Sequence, residues 1–86
     1  MEETKVIKVL LLSSQEIVVS EIEEIAAEFG DTNCKLTKPY KIIDGSLHKW
    51  MEDYTEQNEI MINSDKILTL VTPSPMIFEQ YSKVTS

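Results

Sequence analysis

Residues 6–22 read VIKVLLLSSQEIVVSEI, and how this stretch divides decides the fold. The run from Val6 to Leu12 is too short for an ordinary helix and rich in β-branched and aliphatic residues, so it reads as a strand buried on both faces. Ser13, Ser14 and Gln15 form a polar break, after which Glu16 to Ser20 resumes the β-branched pattern. Two such runs across a short polar break predict a β-hairpin. The next stretch, Ser20 to Gly30 (SEIEEIAAEFG), admits two readings. Ile22, Ile25, Ala26 and Phe29 fall at helical spacing, Ser20 and Glu23 make a capping box, and Gly30 supplies a stop, which predicts a helix of about two to three turns. The competing reading continues the second strand through Ile22 and bends it near Ala26 and Ala27, because local propensity yields to tertiary pairing.

Further along the chain, Asp31, Thr32 and Asn33 are turn formers, and Cys34 to Ile43 (CKLTKPYKII) is a third strand that Pro39 confines to an edge or a break. Asp44 and Gly45 lie between apolar runs, a strong hairpin signal leading into SLHKWM. The polar stretch Glu52 to Glu59 has no apolar face and is expected to be exposed to solvent. EIMI (Glu59 to Ile62), a turn NSDK, and ILTLV (Ile67 to Val71) are expected to form the heart of the core. Ser74 is a natural N-cap and Pro75 a favoured first helical residue, before a short C-terminal helix with Ile77, Tyr81 and Val84 on one face. The chain is thus expected to be one domain over residues 1–86. It is mainly β, a small, strongly bent five-stranded antiparallel barrel of the SH3 or OB type with a short C-terminal helix.

Composition agrees with one folded domain: 86 residues, 42% apolar and 27% charged, far from the balance that keeps chains disordered. The net charge of −7 has the wrong sign for general attraction to nucleic acid, although Lys35, Lys38 and Lys41 recur at a spacing of three with Tyr40 among them. No apolar run approaches the roughly 20 residues that span a bilayer, so no membrane association is expected. The opening MEETK lacks the pattern of a secretory signal, and the lone Cys34 suits a reducing compartment, so the expected location is the cytoplasm.

Chemistry is hard to find. His48 is the only histidine, on the strand face it shares with Trp50, and nothing local links it to Cys34 as base to nucleophile. The carboxylates Glu21 to Glu24, Glu52 and Asp53 lack the ligand spacing and central glycine of a calcium loop, and two glycines in the whole chain leave no phosphate cradle. The expectation is a protein without enzymatic activity, catalytic residues, metal or cofactor, working by binding or assembly. Tyr40, Trp50 and Tyr54 are candidates for stacking on bases, but Trp50 is expected to fill the core.

In order of signals the chain resembles the Sm-like family of ring-forming, RNA-associated proteins. KVLLLSSQEIVVSEI followed by FGDTNCKL matches that family's first motif, with Phe29, Asp31, Asn33 and Leu36 in similar order but closer spacing. IMINSDKILTL matches the second, with Ile62, Ile67 and Leu70 in place, but with Asn63 and Ser64 where the family has Arg and Gly. More narrowly, the chain is similar to the small acidic Sm-like proteins of marine phage and ocean environmental sequences. The resemblance implies a strongly bent barrel and a homo-oligomeric ring of about five to seven subunits closed by edge strands. It nominates Asp31, Asn33 and Asn63 to line the inner rim and hold RNA or single-stranded DNA. The missing Arg removes a planar cation that would hold a base. The alternative reading is an acidic interaction or scaffold module that recruits a basic partner without nucleic acid.

Overall fold

The computed structural model describes residues 6–24 and 33–86. Among these, six strands and one helix follow in order: β1 (Ile7–Leu12), β2 (Ile17–Glu24), β3 (Cys34–Ile43), β4 (Ser46–Lys49), β5 (Glu59–Ile62), β6 (Ile67–Val71) and α1 (Pro75–Thr85). The strands form one antiparallel sheet in the order β4-β3-β2-β1-β6, with β5 also pairing on β3. The sheet is not closed, and six strands stand where five were expected. The extra strand arises because β3 bends and carries a different partner on each half. Cys34 to Thr37 pairs with β5, and Tyr40 to Ile43 pairs with β4.

The bend is legible in the register between β2 and β3. Val19 faces Tyr40 and Glu21 faces Thr37, so Ser20 alone stands opposite both Lys38 and Pro39. Lys38 takes a left-handed backbone (φ 53°). Pro39 has no N–H to offer a ladder. The pair therefore makes a bulge, which bends and twists a strand locally. The Ser20 hydroxyl donates to the Thr37 carbonyl at 3.1 Å, across the irregularity. Ser20 is thus a strand residue and not a helix cap. β2 runs on through Glu24 because β1 pairs with it as far as Glu21 and β3 pairs with it through Glu24, which overrides the helical spacing of that stretch. The predicted bend at Ala26 and Ala27 lies outside the described residues.

Turn chemistry explains the hairpins. Asp44 (φ 51°) and Gly45 (φ 79°) both take left-handed backbone between Ile43 and its partner Ser46, the two-residue turn that Asp-Gly favours. Between β1 and β2, the Leu12 N–H donates to the Glu16 carbonyl at 2.9 Å, and Gln15 (φ 75°) takes the left-handed position.

The core lies on β1, β2 and β3, where Leu10, Leu12, Val18 and Leu36 form a buried cluster with Ile22, Trp50, Ile62 and Ile67 packed against it. This corrects the expectation that β5 and β6 are its heart. Among the described residues β6 pairs on one side only, and Leu68, Leu70 and Val71 remain 57%, 47% and 47% exposed. Trp50 fills part of the core as expected, although half-buried.

Helix α1 begins as its sequence dictates, with the Ser74 hydroxyl accepting from the Ile77 N–H at 3.3 Å and Pro75 in the first turn. Of the predicted apolar face, Tyr81 is buried and Ile77 half-buried, whereas Val84 is exposed.

Candidate functional site

Asn33 immediately precedes β3 and Asn63 immediately follows β5. The pairing of Cys34 with Ile62 therefore brings these two nominated residues to one end of β3. There the Asn33 Oδ1 accepts from the Ser64 backbone N–H at 2.8 Å, and its Nδ2 donates to the Ser64 hydroxyl at 3.0 Å. Asn63 Oδ1 accepts from the Asp65 N–H at 3.2 Å, capping the 3-10 turn Ser64–Lys66 that leads into β6. Asn33 thus spends its amide on the turn, while the Asn63 Nδ2 donor has no hydrogen-bond partner among the described residues. Asp31 lies outside the described residues.

The opposite end of β3 carries a second polar group. Glu16 Oε1 accepts from the Ser14 hydroxyl at 2.8 Å, and Oε2 accepts from the Trp50 indole N–H at 3.3 Å and from Lys41 Nζ at 3.1 Å. The Ser14 hydrogen bond, aided by Lys41 and Trp50 against a partial burial cost, holds the Glu16 carboxyl below its usual range. A cleft of about 460 Å³ opens beside this group, bounded by β4 and the loop after it.

A third constellation sits at the bulge. The Tyr81 hydroxyl accepts from the Glu21 N–H at 3.2 Å and lies within donating distance of the Thr37 (3.0 Å) and Lys38 (2.8 Å) carbonyls. One phenol therefore satisfies backbone groups that the irregular ladder leaves over. Burial, the largest cause, pushes its pKa up to about 12. Its ring meets Tyr40 edge-on at 6.0 Å. Lys38 Nζ and the Tyr40 hydroxyl donate to the last carbonyls of α1, those of Thr85 (3.3 Å) and Val84 (3.4 Å), which ties the helix end to β3.

Sequence reasoning placed Tyr81 on the inner face but missed its hydroxyl, and it missed the Glu16 group altogether. An aromatic residue with a polar tip on an apolar helix face was the available signal for the first. The second had none, since Glu16, Lys41 and Trp50 meet only through strand pairing.

Cys34 and His48 do not meet: Cys34 opens β3, and His48 faces Lys41 near its far end. Burial, then the nearby Glu24 charge, pushes the Cys34 thiol up from its ordinary range. Among the described residues no group of three His, Cys, Asp or Glu side chains is placed to hold a metal ion, and no helix is long and apolar enough to cross a membrane.

Residues 5–86 match a family of unknown function (DUF6561), and the chain belongs to that family. No curated protein matches the sequence.

Proposed function

We propose that the protein is an Sm-like barrel that assembles into a homo-oligomeric ring and binds single-stranded nucleic acid, RNA foremost, at a polar rim. The observation that carries the assembly is β6. Among the described residues it is an edge strand paired on one side, and its Leu68, Leu70 and Val71 side chains are about half exposed. A strand of this kind is an association hazard unless another strand covers it. Repeating the contact head-to-tail with the free side of β4 and β5 of the next copy buries both edges, and a rotation that closes makes a ring. Supporting the barrel reading are the bent β3, partnered differently on each half, and the 3-10 turn before the last strand.

The rim follows from Asn33 and Asn63. Their convergence at one end of β3 leaves the Asn63 Nδ2 donor without a hydrogen-bond partner among the described residues, and repeated copies would present one such donor per subunit. Such a donor suits the carbonyl edge of a base. With a net charge of −7 and no arginine, the affinity comes from the rim and not from long-range attraction.

Light scattering of the purified chain tests the assembly, with an expected mass of several times the 9.9 kDa monomer. Leu68→Lys is expected to lower that mass while leaving the β spectrum intact. Fluorescence anisotropy with a single-stranded RNA pool at low salt tests the rim, and Asn63→Ala is expected to weaken the signal. A monomer overturns the ring. An oligomer that leaves RNA and single-stranded DNA unbound overturns the nucleic-acid reading.

A further inference from the structure

We propose that the cleft beside β4 is a docking site for a basic peptide segment, one carrying lysine or arginine. The cleft lies at the opposite end of β3 from Asn33 and Asn63, and the inference does not rest on the ring or on nucleic acid.

Its lining joins apolar and aromatic surface: Ile43, Trp50, Met51 and Tyr54. Tyr54 is 83% exposed, an aromatic ring left in water on a chain with few aromatic residues. Trp50 is held from two sides. Its backbone N–H donates to the Pro39 carbonyl at 3.0 Å and its indole N–H to Glu16. The ring is therefore a fixed platform, and a ligand stacking on it loses little further freedom.

Charge selects the occupant. Of the cations at the cleft, Lys41 is paired with Glu16 at 3.1 Å, and Lys49 Nζ donates to the Glu56 carbonyl at 3.4 Å. The carboxylates of Glu52 and Asp53 also line the cleft, exposed, and among the described residues they have neither a hydrogen-bond nor an ion-pair partner. The loop continues to Glu59 with Glu56 and no lysine or arginine. Lys49 keeps its positive charge, since a carbonyl carries none, so Lys41 and Lys49 set against Glu16, Glu52 and Asp53 leave the cleft with one net negative charge on a chain that is itself negative. A phosphate backbone is repelled there, whereas a guanidinium or ammonium gains both the carboxylates and the faces of Trp50 and Tyr54.

Trp50 is the single tryptophan, so its emission reports directly on this cleft. Titrating the full chain with an octa-arginine peptide at low salt is expected to change that emission saturably. The double variant E52Q/D53N is expected to weaken binding about threefold to tenfold, and Tyr54→Ala about twofold to fivefold. D65N/E79Q removes the same charge elsewhere and is expected to bind as the parent does. The proposal is overturned by the lack of a saturable change, by equal weakening in D65N/E79Q, or by a stronger response to an oligothymidylate than to the peptide. The oligomer mass is read separately on the same samples, so a failure here and a failure of the ring are distinguishable.

Discussion

The β2–β3 bulge and the β6 edge face the same physical problem, backbone polar groups that the regular ladder does not satisfy, and they solve it differently. At the bulge the solution is internal. Ser20 bonds to Thr37, Tyr81 collects Glu21, Thr37 and Lys38, and the Lys38 N–H finds the Asn58 carbonyl. No buried side-chain nitrogen or oxygen among the described residues lacks a partner. At β6 the free row faces outward, flanked by exposed Leu68 and Val71. The lesson is that irregular backbone is not by itself a sign of function here. The interior bulge is satisfied, and the edge strand, whose own pairing with β1 shifts register at Leu68, is the one with unused capacity among the described residues.

This contrast can be tested by weakening each side. The largest effect is expected in the core beneath the bulge, where Leu36→Ala should cost about 2–5 kcal/mol of unfolding free energy by denaturant titration. The same change at Leu70, on the edge strand, should cost much less. Tyr81→Phe comes next. It keeps the ring but leaves buried backbone groups unpaired, at a cost of about 1–3 kcal/mol. The wild-type protein should also lose stability as pH rises. With the folded pKa raised above an ordinary value near 10, the contribution of Tyr81 is complete below that value and is lost as pH climbs to about 12. Alkaline melting curves should show this loss in the wild type and a shallower one in Tyr81→Phe.

A smaller effect separates the Glu16 group from both regions. Because the folded carboxyl titrates below its usual range, its contribution is present above the unfolded pKa and is lost as pH falls through the folded one. Trp50 emission should therefore change on acidification, and Glu16→Gln should remove that step. Smallest of all is the exposed helix pair: Lys83→Ala breaks the 3.4 Å contact with Glu79 and should cost no more than about 0.5 kcal/mol by thermal melt.

Much of the fold was legible because it rests on local chemistry. Asp44-Gly45 can make only a few turns, Ser74-Pro75 starts a helix, and the short aliphatic run from Val6 to Leu12 marks a strand, although only Leu10 and Leu12 of it are buried, and not both faces as expected. What sequence reading misjudged depends on partners distant in the chain. Ser20 and Glu23 look like a capping box until pairing with β1 and β3 claims them. ILTLV looks like core because apolar composition does not say how many neighbours a strand will have. The same reason limits the site. Asn33 and Asn63 were nominated through the Sm-like resemblance, and their contact through Ser64 was not foreseen. The Glu16, Lys41 and Trp50 group, drawn from three separate elements, leaves no trace in any short window.

The Tyr81 clamp also sets a constraint in time. Its hydroxyl meets the Glu21 amide across 60 residues of sequence, one of the longest-range bonds in the fold. Pairing across so long a separation is slow, because the entropy of closing the loop is lost before the contact rewards it. The β1–β2 hairpin and the two halves of β3 can form early from near neighbours, but the bulge between them stays bare until the helix arrives. Docking of the helix, together with the equally long-range pairing of Val9 with Val71, is expected to complete the curvature of the sheet late. Events that delay it, such as slow synthesis or a competing strand on the exposed bulge, should act on the rate of reaching the native state more than on its final stability.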